Sequence, residues 1–433
     1  MATEVSAGRS RSTTSWGARV TPWLDRALLP ALNVGLVVLV APPLSQPFST
    51  PKLWWLLACA LVAVGLALRS SEAAKDLPRS AIPSAASLGK QSAWPLLLAL
   101  GWLTALLLSS LAAGAAEGAA LARDAAAAVL IIALLHLRSD AARTLRAIAA
   151  AGALLASVVL VQRAGFDPFG AHLQGRLRLY GTLGNPDFAA AWLGAALPLT
   201  IGEAAASWRS TTSAASLRAR WLCAAAAVQL LALIAIGSLA TLLALGAAAV
   251  VFAASRRPRV ALLSAATLLA AALGAASRDP SRALQGRIYL HAVALPHLLE
   301  APLVGHGPGS VRLLWPAWEA ARSPSAAEVR FAASQDHVHD DWLERALELG
   351  VPAALCLAAL AALGIFSAIR LGRSQRGPAA LRTLAAGAAL AGLCARAFVD
   401  FPLARPAELG LFATLIALAL AAPEEPCSTP EAS

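Results

Sequence analysis

Residues 336–370 read DHVHDDWLERALELGVPAALCLAALAALGIFSAIR. A polar, acid-rich stretch, Asp336–Gly350, passes directly into an apolar run that reaches Arg370. The polar part holds two of the seven histidines and five of the acidic residues, in a chain otherwise rich in Ala and Leu. An acid-free apolar run of about twenty residues reads as a membrane-crossing helix. Polar chemistry concentrated at the mouth of such a helix marks the first place to look for function.

The same pattern extends outward. The chain has 433 residues, 58% of them hydrophobic and 14% charged, where soluble domains carry about a quarter charged residues. Apolar runs of about 17–22 residues recur along its length, without the alternation a membrane β-barrel requires. The reading is all-α: a polytopic integral membrane protein with about twelve transmembrane helices. They are expected near 27–44, 52–68, 94–112, 120–137, 143–162, 187–206, 219–236, 238–255, 259–276, 349–370, 378–398 and 407–422. Only Gly237-Ser238 separates the seventh from the eighth.

A net charge of +11 would suggest nucleic acid in a soluble protein. Here the basic residues cluster in short segments between apolar runs, so they read as topology signals and nucleic acid is not expected. With residues 1–26 taken as a cytoplasmic tail, the loops after even-numbered spans carry the Lys and Arg: Arg69, Lys75, Arg79 and Lys90; Arg138, Arg143 and Arg146; Arg209, Arg218 and Arg220; Arg256, Arg257 and Arg259; Arg370, Arg373, Arg376 and Arg382. The opposite short loops contain only Arg405. Both termini are then cytoplasmic, with 27–276 holding helices one to nine. A large outer loop spans 277–348, helices ten to twelve occupy 349–422, and 423–433 is a cytoplasmic tail. No cleavable signal peptide is read at the N-terminus. Cys59, Cys223, Cys356 and Cys394 lie in apolar runs and Cys427 in the tail, with neither metal spacing nor a disulfide framework.

Three outer motifs stand out. Gly175-Arg176-Leu-Arg178 leads through Gly181 to Gly184-Asn185-Pro186-Asp187. Asn-Pro starts a turn and caps the next helix, which accounts for the turn but not for Arg176 and Arg178. Gly286-Arg287 is followed by Glu300-Ala-Pro302-Leu-Val-Gly305-His306-Gly307-Pro308-Gly309. With no βαβ unit around it, the Gly-x-Gly-x-Gly run is a compact turn rather than a dinucleotide loop. Arg287 is either an interfacial anchor or a phosphate ligand. Arginine is the residue suited to bidentate phosphate binding, although a chain with three Lys also uses Arg by habit.

The third motif is the opening stretch itself. Asp341 and Glu344 form an Asp-x-x-Glu capping box, and Asp341, Glu344 and Glu348 share one helical face. Histidines two apart, His337 and His339, do not by themselves make a zinc site. His339 suits general-base work, and Asp340, Asp341 or Glu344 can set its tautomer.

Together the motifs resemble the O-antigen ligase and O-antigen polymerase superfamily. The resemblance rests on R-L-Y-G-T-L-G-N-P-D, E-A-P-L-V-G-H-G-P-G, H-V-H-D-D-W-L-E-R-A-L-E-L-G and the Asp400-Phe-Pro-Leu403 turn, in order over residues 120–415. It implies a membrane-embedded (GT-C-like) glycosyltransferase that uses no metal and no cofactor. The donor would be a glycan on undecaprenyl pyrophosphate, the acceptor a lipid- or glycan-linked sugar hydroxyl. The setting would be the outer face of the bacterial cytoplasmic membrane, in lipopolysaccharide or other polysaccharide assembly. Carried over, His339 is the base, with Asp340, Asp341 and Glu344 beside it. Arg287, Arg176 and Arg178 hold pyrophosphate, and Gly184, Asn185, Pro186, Gly305, Gly307, Gly309, His337 and Glu348 support the loops. Asp340 and Asp187 depart from the amides or hydroxyls common at those positions, which bears on acceptor choice. A polymerase of the same superfamily, or a transporter or flippase, is the alternative.

Overall fold

The computed structural model describes residues 16–421 apart from 42–43, 45, 76–92, 114–116, 138–139, 171–173, 210–211, 276–278, 323–327 and 329–334. Fifteen α-helices and three short 3-10 turns account for the regular structure of these residues. Helices α1 (Trp16–Val38), α2 (Thr50–Lys75), α3 (Trp94–Ala113), α4 (Gly118–Leu134) and α5 (Ala141–Arg163) form the first half. Then come α6 (Pro186–Trp208), α7 (Ser213–Ile236), α8 (Leu239–Ala254) and α9 (Pro258–Ala275). Next come three shorter helices, α10 (Pro280–Ala294), α11 (Ser310–Arg322) and α12 (Asp341–Leu349), and then α13 (Val351–Ser374), α14 (Pro378–Arg396) and α15 (Pro406–Leu420).

Each of the twelve expected apolar stretches lies on one of these helices. Seven, on α2, α3, α5, α6, α7, α13 and α14, are long and apolar enough to cross a membrane. The others are shorter or carry charge, so a count of twelve crossings goes beyond what length and composition show. Two expected edges also move. The first helix starts at Trp16, inside the stretch expected as a polar tail, and α2 continues to Lys75 through the start of the loop expected at 69–93. The rest of that loop and the tail at 423–433 lie outside the described residues.

Local chemistry explains the breaks. Asp140 and Thr212 each accept from a backbone N–H of the first turn they precede, Arg143 and Ala215 respectively, satisfying donors that a helix start leaves open. Gly237 adopts φ 61°, the left-handed geometry in which a helix ends at little cost only at glycine. It therefore divides α7 from α8.

The core of the bundle is α6, buried over 83% of its apolar window, with α14 packed along it. Small residues let the backbones close: a Cβ on Gly202 would lie 2.3 Å from Ala385 Cβ, and one on Gly392 would lie 2.7 Å from the Ala244 carbonyl oxygen. In lipid, where apolar chains gain little from leaving the bilayer, such close packing is what holds helices together.

Helices α10 to α12 build a second, smaller core from Tyr289, Val293, Trp315, Trp318, Val338 and Leu347. It is strapped to the bundle by the glycine-rich turn. His306 N donates to Leu347 O, Gly307 N to Glu348 O, and Val351 N to Pro302 O. This seam joins the turn to the junction between α12 and α13, where Gly350 sits at φ 89°.

Candidate active site

Four elements converge where α6 begins and α14 ends. Asn185 caps α6, its side chain accepting from Asp187 N at 2.8 Å. Arg396, buried on the last turn of α14, donates to Asp400 Oδ2 through Nε at 2.9 Å and to the Asp187 carbonyl at 2.8 Å. α10 brings Arg287, whose Nε donates to Val399 O at 2.8 Å and leaves both terminal nitrogens for a ligand. The turn before α12 brings His339. Together Asn185, Asp187, Arg287, His339, Asp400 and Phe401 line a cavity of about 250 Å³.

His339 has φ 60°, a left-handed backbone that costs a branched or bulky side chain about 1–3 kcal/mol and is held only by its surroundings. Its Nδ1 is buried without a hydrogen-bond partner and lies 3.8 Å from Asp400 Oδ1. Burial first, then the Arg287 charge, pushes the imidazole pKa down to about 4, against the pull of Asp400. The ring is therefore neutral at neutral pH, as a proton acceptor must be. Burial likewise lowers the Arg287 pKa, opposed by the Asp400 and Asp187 charges.

His337 plays another part. It stacks on Phe401 with ring centroids 4.3 Å apart, while His339 meets the same ring edge-on at 4.6 Å. His337 Nδ1 is 2.7 Å from Glu344 Oε1, and Val338 N donates to the other oxygen at 2.9 Å. Burial disfavours ionised Glu344, but the His337 charge and these hydrogen bonds outweigh it and hold the carboxyl below its usual range.

A second cavity of about 360 Å³ lies behind this wall, lined among others by Glu117, Arg123, Gly184, Gly309, His337, Glu344, Glu348 and Arg405. Phe188 borders both cavities. The Arg405 guanidinium sits 4.3 Å from the Phe188 ring centroid and 4.9 Å from that of Phe401, a cation–π arrangement that binds the partition together. Glu348 is buried, and burial followed by the Glu344 charge raises its pKa above the usual carboxylate range.

Several sequence assignments change. The carboxylate facing His339 is Asp400, whereas Asp340, Asp341 and Glu344 are each engaged elsewhere. Asp340 is the cap of α12, accepting from Trp342 N and Leu343 N, and also lies 3.4 Å from His291. Asp341 is fully buried and accepts from Leu403 N at 2.7 Å, while its own N–H donates to Ala397 O. The expected Asp341–Glu344 capping box is thus displaced: the cap is one residue earlier, and Glu344 reaches back to Val338.

Arg178 sits in the 3-10 turn Gly175–Leu179, donates to Arg163 O at 3.1 Å, and lines neither cavity. The Arg176 side chain lies outside the described residues. Gly305 and Gly350 serve the strap, since a Cβ on either would meet backbone at 2.3 Å or 2.2 Å. Pro186 occupies the first turn of α6. The sequence reading missed Arg396 and Arg405 as site builders. The four-residue spacing from Arg396, the last residue of α14, to Asp400 in the turn beyond it was the signal for the first.

The buried scaffold is charged as well. Arg345 pairs with Asp124 of α4 and donates to Leu403 O at 2.8 Å. Leaving one member of such a buried pair alone costs about 3–5 kcal/mol. Among the described residues, no group of three or more His, Cys, Asp or Glu is arranged to hold a metal ion.

Residues 224–358 match the O-antigen ligase family model. The match runs from α7 into α13 and takes in Arg287, the glycine-rich strap and all of α12 with His339. It leaves Asn185 before it and Asp400 after it. The resemblance to the O-antigen ligase superfamily holds over that segment, and the chain is a multi-pass membrane protein similar to O-antigen ligases there. No curated protein matches the chain.

Proposed function

We propose that the protein is a metal-independent glycosyltransferase of the O-antigen ligase type. Its donor is a glycan on undecaprenyl pyrophosphate, and its acceptor is a sugar hydroxyl at the outer face of the cytoplasmic membrane. The observation that carries this reading is the meeting of His339, Asp400 and Arg287 in one cavity, within or beside the segment that matches the family.

The chemistry follows from the geometry. With Nδ1 turned to Asp400, Nε2 of His339 is the nitrogen left to take the acceptor's hydroxyl proton. The acceptor oxygen then bonds to the anomeric carbon of the donor as the carbon–oxygen bond to pyrophosphate breaks. The released pyrophosphate gains negative charge, which the free nitrogens of Arg287 offset. A lipid pyrophosphate is already activated, so the step requires no nucleotide. The second cavity, bordered by the His337–Phe401 partition, supplies polar groups suited to sugar hydroxyls and receives the acceptor. In this reading α1–α9 and α13–α15 cross the membrane except where α10–α12 form the outer face, and both termini are cytoplasmic.

The test is reconstitution of the purified protein with a lipid-linked glycan and separate acceptors. Release of undecaprenyl pyrophosphate that depends on a lipopolysaccharide-core acceptor is the expected result. Release that depends on a second lipid-linked glycan identifies a polymerase instead, and glycan crossing the bilayer without release identifies a transporter.

A further inference from the structure

The opposite end of the bundle has its own unexplained chemistry. α6 begins at the catalytic cavity and runs 23 residues to Trp208, about 34 Å at 1.5 Å per residue, roughly a bilayer's hydrocarbon thickness. At that far end, three pieces of chain meet: Arg209 at the end of α6, Ser255–Arg257 between α8 and α9, and the end of α13 through Arg376. They carry Arg209, Arg256, Arg257, Arg373 and Arg376, with Arg259 one turn on, and no acidic residue.

The described contacts do not neutralise these charges. Arg257 donates to the Gly372 and Gln375 carbonyls, Arg209 to the Arg376 carbonyl at 3.0 Å, and Arg373 to the Ala254 carbonyl at 2.7 Å. Carbonyls at helix ends offer only partial negative charge. Arg257 is 6% exposed, yet its Nη1 has no hydrogen-bond partner. Burial, and then the charges of Arg209 and Arg376, lower its pKa. Arg256 holds φ 57°, a conformation that favours Gly, Asn or Asp and is kept here by an arginine. Trp208, 61% exposed beside Arg209, has the placement of an interfacial anchor.

We propose that this cluster is a binding site for the phosphodiester headgroup of an anionic phospholipid, seated between the ends of α6, α8 and α13. The phosphate supplies the full negative charge that the helix-end carbonyls lack and an acceptor for Arg257 Nη1. Basic pockets between transmembrane helices are where such headgroups are recognised. The inference is independent of the transfer reaction, and its test does not use it.

The test is native mass spectrometry of the full chain released from nanodiscs of mixed phosphatidylglycerol and phosphatidylcholine. Wild type should retain phosphatidylglycerol in clear excess over its share of the bilayer. The double substitution Arg209→Gln/Arg376→Gln changes exposed side chains, and it should lower that retention tenfold or more, since each such arginine contributes about a kcal/mol toward anionic lipid. Competition with inorganic phosphate forms a second arm. Equal retention of the two lipids by wild type, an unchanged double variant, or loss of phosphatidylglycerol to millimolar phosphate each overturns the lipid assignment.

Discussion

Asp400 Oδ1 stands 3.8 Å from His339 Nδ1, while Oδ2 of the same carboxylate is bound by Arg396. One oxygen is thus fixed by Arg396 of α14, and the other accepts from Phe401 N at 3.0 Å while facing the imidazole. At 3.8 Å the pair is too long for a hydrogen bond, and catalytic hydrogen bonds commonly tighten only when substrate is bound. His339→Gln is expected to lower single-turnover transfer at least a hundredfold while donor binding persists. Asp400→Asn should fall between that variant and wild type. His337→Ala should lose less than His339→Gln, because His337 acts on the partition rather than the proton. A His339→Gln rate above a tenth of wild type would remove the histidine as base.

The depressed imidazole pKa sets the acid limb. With a pKa of about 4, His339 remains an unprotonated base well below pH 6.5, and transfer should decline only as pH approaches that value. The stability effect has the matching sign. Unfolded histidine takes a proton near pH 6.5 and the folded one does not, so the folded state loses ground as pH falls from 6.5 toward 4. Chemical denaturation of wild type and His339→Gln across that window should show the steeper loss in wild type; parallel curves contradict the depressed value.

Arg287 is the one arginine of the three sequence candidates placed at the cavity among described side chains. Arg287→Lys should fail nearly as badly as Arg287→Ala, because a point charge cannot replace a two-pronged donor. Arg178→Ala should transfer at close to the wild-type rate, and a severe loss there would argue for a rearranged turn in the working enzyme. Initial rates against donor concentration separate these outcomes.

Glu348 carries the opposite pH signature. Its folded pKa is raised by burial and by Glu344, so its contribution to stability is complete below the ordinary carboxylate pKa and is lost as pH rises through the raised value. Glu348→Gln should flatten the stability profile between pH 4.5 and about 8. Thermal unfolding in detergent across that window measures this; an unchanged slope there means another group is titrating.

Gly350→Ala tests the strap. The new Cβ would lie 2.2 Å from the Leu303 carbonyl oxygen at a backbone φ of 89°, so both contact and conformation oppose it. A loss of more than about 2 kcal/mol is expected from such combined strain. Gly377→Ala, with open space around its Cβ and φ −89°, is the control and should be near neutral. Midpoints of thermal unfolding decide between them.

The helices were readable because a membrane span announces itself by length and hydropathy alone. α1 and α2 overran their expected ends because amphiphilic Trp, Ser and Ala residues continue a helix beyond the apolar window. That His339 and Arg287 would face one cavity could be expected from the polar chemistry placed beside spans. Asp400 was quoted as part of a familiar turn but not joined to His339, since no local periodicity relates residues on different helices. Asp340 and Asp341 show the limit from the other side: adjacent carboxylates at a helix start look alike in sequence, and only tertiary hydrogen bonds distinguish a cap from a buried tie.

The ties that frame the cavity join distant parts of the chain: Arg396 to Asp187 across 209 residues and Arg345 to Asp124 across 221. During synthesis, α4 and α6 therefore enter the bilayer long before their partners exist. Asp124, fully buried in the finished protein, has only its neighbour Arg123 as a charged partner until α12 arrives with Arg345. A ribosome halted after His339 has made His339 and Arg287 but no Asp400, Phe401 or Arg405 to close around them. On the proposed mechanism the site is complete only after α14 and the turn that follows it are made, and truncations in that interval should yield inserted but inert protein.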